Sequence, residues 1–406
     1  MSTVVAHADD TPDEAGFRVQ ARVFLSARLP PRPPRGPVQV MGAGTDDLDR
    51  GRCFLREMGA WAVPTWPVPA GGRGLSPNLA AVWAEELSHY DAPDLYPWMV
   101  GISLVGPTLL AHGGRDQSAR WLPPIRSGEE IWCQLFSEPG AGSDLAALAC
   151  RAERAGDTWR VKGQKVWSSR AHYSRWGLLL ARTDPTVPKH AGITAFAVDI
   201  RSPGVEVRPT VQMNGDTHFN EVFLDDVAVP EGDRIGEVGR GWGVAMTVLA
   251  LERASIGEDG SALTVPQVLD RLRRTGKADD PLMRQRAADV VARLKIAGFS
   301  KGRSRAEAGS GQTSGPGGPG AKVWMSDTVK AATELAMDLG GPGSTVGGHE
   351  WQTLFLTAPS LSIRGGTDEV MRNIVGERVL GLPPEPRVDK DAPFNAVPRG
   401  QRPRDH

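Results

Sequence analysis

QLFSEPGAGSD, residues 134–144, ends a short apolar run in a tight turn made by Pro139 and two glycines. The amides of such a turn can approach a phosphate group or a flat ring closely, because glycine brings no side chain. Ser137, Ser143 and Asp144 add short polar groups beside those amides. Gly/Ser loops are common, so an ordinary surface turn explains this stretch equally well when it is considered alone.

A second segment, GQKVWSS at 163–169, places an aromatic ring beside two hydroxyls at the end of a predicted strand. The indole of Trp167 suits the face of an isoalloxazine ring, and a neighbouring hydroxyl suits a hydrogen bond at the edge of that ring. The alternative is a core tryptophan followed by solvent-facing serines, the usual situation for a single tryptophan in a β domain.

Short β-rich runs surround both segments, among them TWRVKGQKVW, WGLLLART and GITAFAVDI, with the spacing of a small antiparallel barrel or sandwich. On either side, apolar residues recur three and four positions apart, as in LAAVWAEELSHY and VAMTVLALERASIG, which predicts helices. The fold class is therefore predicted to be α+β multidomain. The predicted parts are a polar leader (1–11), a helical N-terminal domain (12–130), a β-barrel-like middle domain (131–232), a C-terminal four-helix bundle (233–383) with a flexible loop at 309–320, and a tail (384–406) that orders only against a neighbour, if at all.

Composition excludes several classes of protein. The 406 residues include 47 basic and 48 acidic side chains, and no basic run alternates with aromatics, so a nucleic-acid partner is not expected. Cys53, Cys133 and Cys150 lie far apart and no histidine has ligand spacing, so neither a disulfide framework nor a metal site is expected. The first residues show no basic region followed by an apolar core, so no signal peptide is expected, and no apolar stretch has the roughly 18 residues needed to cross a bilayer. We expect a cytoplasmic protein with no membrane partner.

Four motifs, in order along the chain, resemble the acyl-CoA dehydrogenase family: EPGAGSD at 138–144, WSS at 167–169, LGGPG at 339–343 and IRGGTDEV at 363–370. The resemblance implies FAD as cofactor and an acyl thioester, carried on CoA or on a carrier protein, as substrate. It implies a trans-2-enoyl thioester as product and an electron-transfer flavoprotein as the partner that receives the electrons. FAD and substrate would meet between the middle domain and the bundle.

The resemblance also implies roles for individual residues. Ser137 would bond the pyrimidine side of the flavin, Trp167 would pack along the ring, and Ser169 would reach its N5 edge. Ser143 would lie near the pyrophosphate or the pantetheine of CoA. The implied cofactor residues are Phe136, Ser137, Gly142, Ser143, Trp167, Ser169 and, on the phosphate and adenosine side, Gly366, Thr367 and Glu369.

The residue that serves as catalytic base in many members of the family is missing. The family's YEGT segment corresponds to residues 364–367 here, so Gly365 stands in place of its glutamate. The Gly365 N–H can still donate to the thioester carbonyl. Some branches of the family supply the base from the first bundle helix, directly before an arginine, and this chain has Glu252 and Arg253 there.

The helix pattern independently favours Glu252. Val244, Val248 and Leu251 fall four and three residues apart, which predicts one inward-facing stripe, and Glu252 adjoins it. Apolar surroundings raise the pKa of a carboxyl group and so suit a base that works near neutrality. The alternative is a solvated glutamate, or one paired with Arg253. If Glu252 is the base, Arg253 is expected to influence the charge of Glu252 or to contact the carbonyl end of the substrate.

Arg364 is a long cation where many relatives have Tyr or Gly. Either it points into the acyl pocket and favours a polar or anionic acyl group, or it reaches solvent or a nearby acid. Arg170, directly after the second segment, raises the same question.

Subunit composition is left open by the segment after the first bundle helix. Many homotetrameric relatives carry Arg-x-x-Phe-Gly there, whereas this chain has RLRRTGKADDP at 271–281, and Met337 stands where many relatives have Gln. A homodimer, a homotetramer and a heterotetramer are all compatible with this departure. The functional alternatives are a non-catalytic or half-catalytic subunit of a heteromeric dehydrogenase, and a flavin oxidase of the same fold.

Overall fold

The computed structural model describes residues 10–33, 46–258, 263–309, 317–386 and 389–397. Six α-helices precede the sheet in these residues: α1 Pro12–Ser26, α2 Leu48–Met58, α3 Pro77–Leu87, α4 Tyr96–Met99, α5 Gly106–His112 and α6 Arg115–Arg126. A π-helix, Val100–Val105, joins α4 to α5. The helical N-terminal domain is thus confirmed, while residues 1–9 of the predicted leader lie outside the described residues.

The first helix begins at a capping box. Glu14 N donates to Thr11 Oγ1 at 3.3 Å and Thr11 N donates to Glu14 Oε2 at 2.8 Å. Pro12 follows at the first helical position, where its missing N–H removes no hydrogen bond. Arg18, in the next turn, pairs with buried Glu86 at 3.0 Å and so ties α1 to α3.

Eight strands form one sheet in the middle of the chain: β1 Trp132–Leu135, β2 Arg151–Ala155, β3 Thr158–Lys165, β4 Trp176–Arg182, β5 Ile193–Asp199, β6 Val205–Thr210, β7 Phe219–Pro230 and β8 Arg234–Ile235. The order is β6-β7-β3-β2-β4-β5-β8. Because β5 pairs with the whole of β4, both β1 and β2 lie along the other edge of β4. The loop between them, 136–150, therefore begins and ends beside the same edge of β4.

The sheet curls on itself to form a barrel-like interior. Trp159 of β3 and Phe196 of β5 are on strands that are not neighbours, yet their ring centroids lie 5.4 Å apart. Val161 and Leu179 are fully buried in the same interior. The opposite face of β4 packs against the helices through residues such as Leu180. The β-barrel-like middle domain is confirmed.

The C-terminal helical bundle is also confirmed. Its described helices are α7 Gly241–Glu258, α8 Val265–Arg274, α9 Pro281–Gly309, α10 Gly317–Gly340, α11 Glu350–Thr357 and α12 Asp368–Ile374, the last extended by a π-helix, Val375–Val379. The other five helices all contact α10. Its residues Val329, Ala332 and Leu335 are buried at the centre. None of the helices described is both long and apolar enough to cross a membrane.

The connection between α9 and α10 is shorter than the flexible loop predicted at 309–320. Helix α10 begins at Gly317, so residues 317–320 are helical, and residues 310–316 lie outside the described residues. Pro319 is compatible with the helix because it stands in the first turn, where N–H groups have no intrahelical acceptor.

Part of the tail has a fixed place on its own chain. Phe394 is buried, and the Arg182 guanidinium carbon lies 3.4 Å from the centroid of its ring. Phe394 N also donates to Val187 O at 2.9 Å. The expectation that the tail orders only against a neighbour is therefore wrong for residues 389–397. One buried aromatic ring and backbone hydrogen bonds dock this segment on the middle domain.

Candidate functional site

The loop after β1 is held at both ends by one buried ion pair. The Glu138 carboxylate accepts hydrogen bonds from the backbone N–H groups of Ala149 at 2.6 Å and Cys150 at 2.9 Å. It pairs with Lys165 Nζ at 2.8 Å, and the same ammonium donates to the Phe136 carbonyl at 3.0 Å. Lys165 is fully buried. The carboxylate is thus occupied in holding the loop, as expected for a structural residue rather than a base.

The turn of this loop faces open space. Glu138 and Ala141 exchange backbone hydrogen bonds of 3.1 and 3.0 Å, with Gly140 inside the turn and Gly142 directly after it. A Cβ added at either glycine would have no neighbouring atom within 4 Å. Ser143 is exposed beside them. The turn is therefore accessible to a ligand that needs close approach to backbone amides.

The two motif segments lie side by side, because Val166 N donates to Ser137 O at 2.9 Å. Trp167 has a left-handed φ of 58°, its side chain is 62% exposed, and it touches the Phe219 ring edge-on at 5.7 Å between centroids. The alternative of a core tryptophan is wrong. A left-handed backbone is unfavourable for a residue other than glycine, so the fold holds this indole outward against strain. Ser169 is half-buried next to it.

A buried charge cluster follows directly, and nothing local in the sequence predicts it. Arg170 Nε and Nη2 each donate to the Asp46 carboxylate at 2.8 Å, and the Tyr173 hydroxyl donates to the same group. The guanidinium lies over the Tyr96 ring, 4.4 Å from its centroid. Arg170 is therefore paired with an acid, the second of the two alternatives for it. Since 124 residues separate it from Asp46, only the fold brings the pair together.

His218 lies against this cluster. Its carbonyl accepts a 2.6 Å hydrogen bond from Arg170 N, and the Gln212 side-chain amide lies 3.0 Å from its Nδ1. Burial is the largest cause of a pKa lowered from 6.5 to about 4, and the positive charge of Arg170 lowers it further. The imidazole is thus neutral at physiological pH.

This lowered pKa makes stability depend on pH. Between pH 6.5 and about 4, the unfolded chain binds a proton on His218 that the folded chain does not. We expect the Tm to fall as pH is lowered through that window, and His218→Gln to flatten this part of the profile in a thermal-shift pH series. His89→Gln, at an exposed histidine, is the control. An unchanged slope in His218→Gln would show that the folded imidazole is not held neutral.

The segment expected to close the flavin site forms a left-handed turn. Gly365 and Gly366 have φ values of 67° and 90°, and a Cβ added at Gly366 would lie 2.6 Å from Met371 Cε. Thr367 caps α12 by accepting a 3.2 Å hydrogen bond from Val370 N. A side chain at position 365 would be strained in this conformation, so the turn itself disfavours the missing glutamate.

The two acids that follow do not replace that base. Asp368 is buried and pairs with Lys322 at 2.7 Å. Although burial opposes ionisation, the hydrogen bond from Lys322 lowers the pKa of Asp368. Glu369 is exposed at the start of α12. Neither acid is therefore placed to act as the missing base.

Helix α7 turns its predicted apolar stripe inward. Val244 and Val248 are buried, and Leu251 packs partly buried against the same core. Glu252 is half-buried, one turn beyond Val248. The side chain of Arg253 lies outside the described residues. Glu252 thus adjoins the buried stripe of α7, at the position that the helical spacing predicts.

The altered segment at 271–281 begins with an arginine that binds its own chain. Arg271 Nη2 donates to Ala336 O at 3.2 Å and lies 3.4 Å from Ser344 Oγ, at the turn after α10. Within the part of the chain that is described, this arginine therefore supports the LGGPG turn of its own subunit.

Together these features fit a flavin. The open turn at Gly142 suits a phosphate, the exposed face of Trp167 suits a flat ring, and Ser143 and Ser169 add hydroxyls beside them. The described residues contain no group of three or more side chains that could hold a metal ion.

Models of known protein families match this chain along most of its length. Residues 11–129, 133–227 and 239–380 match the family models described as the N-terminal, middle and C-terminal domains of acyl-CoA dehydrogenase. The chain is 42% identical over 327 residues to acyl-CoA dehydrogenase IpdE1 of Mycobacterium tuberculosis, a match that covers 79% of this chain and 84% of the relative.

Solved structures are similar over nearly the whole chain. One is the Tcur3481-Tcur3483 steroid ACAD, with a TM-score of 0.79, 25% identity, and coverage of 94% of this chain and 100% of that chain. Another is the ChsE4-ChsE5 complex from Mycobacterium tuberculosis, with a TM-score of 0.72, 25% identity and the same coverage.

Proposed function

The chain belongs to the acyl-CoA dehydrogenase family of flavin-dependent oxidoreductases, and on that premise we propose that it binds FAD and dehydrogenates an acyl thioester to the trans-2-enoyl thioester. One observation supports this proposal most directly. The hydrogen bond from Val166 N to Ser137 O holds the segment with the open turn at Gly142 beside the segment with the exposed ring of Trp167.

The residues proposed to hold FAD divide into two groups. The ring and pyrophosphate side comprises Phe136, Ser137, Gly142, Ser143, Trp167 and Ser169, and the adenosine side comprises Gly366, Thr367 and Glu369. FAD bound there supplies the acceptor for the hydride that leaves the β-carbon.

The proposed chemistry of the chain itself needs two groups. Glu252 accepts the α-proton on its carboxylate, and the Gly365 N–H donates a hydrogen bond to the thioester carbonyl oxygen. That hydrogen bond stabilises the negative charge that develops on the oxygen as the proton leaves. We also propose an electron-transfer flavoprotein as the electron-accepting partner, as the family resemblance implies.

The test is spectroscopic. Purified protein is expected to be yellow with about one FAD per chain, and its flavin absorbance is expected to bleach without oxygen when an acyl-CoA is added. The substrate set should include short, long, branched, ring-bearing and dicarboxylic thioesters. Rapid peroxide formation in air would instead indicate an oxidase.

A second candidate function is favoured by Gly365, whose left-handed backbone disfavours the family's usual base. In that case the chain is a non-catalytic or half-catalytic subunit that completes a partner's site. The internal contacts of Arg271 and the likeness to a two-protein ChsE4-ChsE5 complex support a heteromeric assembly. A colourless protein that acquires FAD only with a second polypeptide would establish this candidate and overturn the first.

A further inference from the structure

Two arginine nitrogens near the proposed site are buried without a hydrogen-bond partner among the described residues, Arg170 Nη1 and Arg364 Nε. The Arg170 side chain is only 3% exposed, and its other nitrogens are fixed by Asp46. An unpaired buried N–H of a charged group destabilises a fold unless a bound acceptor satisfies it. Both N–H groups are therefore available to a bound acceptor.

The turn between β6 and β7, residues 211–218, contacts the segments that carry the two arginines. At its end, His218 O accepts from Arg170 N at 2.6 Å. Near its middle, Asn214 Nδ2 donates to Thr357 Oγ1 at 3.1 Å, which fixes the turn beside the segment that leads into Arg364. Burial is the main cause of the lowered pKa of His218, and the charges of Arg170 and Arg364 both add to it. Both guanidinium groups therefore lie near enough to act on this imidazole, and the carboxylates of Asp216 and Asp46 oppose them.

Two arginines and two aspartates lie around this turn, and of these described side chains only Arg170 and Asp46 form an ion pair. Asp46 neutralises Arg170, and Asp216 accepts a 2.8 Å hydrogen bond from Asn214. No acidic side chain of the described residues lies within ion-pair distance of Arg364, which is half-buried. Because His218 is neutral, it can form a hydrogen bond to a ligand without adding charge. Among the described residues, Arg364 is therefore the cation of this turn that has no ion-pair partner and can bind an anion.

We propose, on the basis of the proposed function, that Arg364 binds a carboxylate on the acyl part of the substrate, with Arg170 Nη1 and His218 beside it. The preferred substrates are then mono-thioesters of dicarboxylic acids. Arg364 directly precedes Gly365, whose N–H is proposed to hold the thioester carbonyl, so the anion belongs to the acyl group rather than to CoA. A guanidinium can bind a carboxylate through two parallel hydrogen bonds, whereas a lysine cannot.

The test measures binding without turnover. The FAD-loaded full chain is titrated in a calorimeter with two 2-enoyl-CoA probes of equal chain length, one ending in a carboxylate and one in a methyl group. The wild type is expected to prefer the carboxylated probe, and Arg364→Gln to weaken that affinity about 10- to 100-fold while leaving the methyl-ended probe unchanged. Arg364→Lys is expected to lose part of the preference. Arg372→Gln, at an exposed cation on α12, is the control.

Several results would overturn the proposal. These are a wild-type preference for the methyl-ended probe, and an equal loss for both probes in Arg364→Gln. Pantetheine thioesters lack the adenosine phosphates of CoA, and an Arg364 effect that disappears with them would assign the arginine to those phosphates. Should Arg364→Gln fail to fold, full retention of the preference in Arg364→Lys would also contradict bidentate binding. Failure of flavin bleaching would refute the dehydrogenase activity alone, because this affinity difference is read before any turnover.

Discussion

Glu252→Gln is expected to slow the oxidation of an acyl thioester by roughly 10²- to 10⁴-fold, the usual contribution of a positioned general base. Glutamine keeps the size and hydrogen-bonding capacity of the side chain but cannot take up a proton at neutral pH. Because Glu252 is half-buried beside Val248, this near-isosteric change leaves the packing of α7 intact. The measurement is the rate of flavin bleaching in a stopped-flow instrument without oxygen, at saturating thioester.

The control for this change is Glu334→Gln, which removes an exposed carboxylate of the same bundle on α10. It should bleach at the wild-type rate. Glu252→Gln should keep its FAD and its affinity for the thioester, because neither depends on proton transfer. Bleaching of Glu252→Gln at the wild-type rate, with unchanged FAD content, would remove Glu252 from the mechanism.

Local patterns are sufficient to predict the order of the domains and the inward face of α7. The buried positions Val244 and Val248 follow helical spacing, and spacing is a property of neighbouring residues. The same holds for the turn at 138–144, whose glycines and proline determine its shape wherever it occurs. The position of Trp167, in contrast, cannot be predicted from its neighbouring residues alone. Its neighbours alone favour a buried ring, and only the combination of motifs implies a ring that packs along a flavin.

Pairs that the fold brings together from distant positions cannot be predicted in this way. Arg170 has no acid nearby in sequence. Its partner Asp46 lies just before α2 in the N-terminal domain, 124 residues earlier. The tail is a second case in which a contact between distant residues could not be predicted from the sequence. Its composition predicts disorder, but the ring of Phe394 packs against the guanidinium group of Arg182 on the middle domain. The ring contact, together with backbone hydrogen bonds to Val187 and Pro185, outweighs the average composition of this short segment.

Lys165→Met is expected to lower the free energy of unfolding by about 3–5 kcal/mol, as is usual when one partner of a buried ion pair is removed. Methionine fills a similar volume, so the loss arises mainly from Glu138, whose carboxylate is left buried without its cation. The loop after β1 should loosen because its Phe136 carbonyl also loses a donor. We therefore expect FAD to dissociate more readily. Urea denaturation followed by tryptophan fluorescence, together with FAD retention after gel filtration, measures both effects.

Lys162→Met is the matched control, because Lys162 lies on the same strand and also pairs with an acid at 2.8 Å, Asp225. That pair is open to solvent, with side chains 58% and 78% exposed, so its loss should cost only about 0–1 kcal/mol. The two substitutions remove the same charge and differ mainly in burial. Equal stability of the two variants, with FAD retained by both, would mean that the Glu138–Lys165 pair does not hold the loop on which the proposed cofactor site depends.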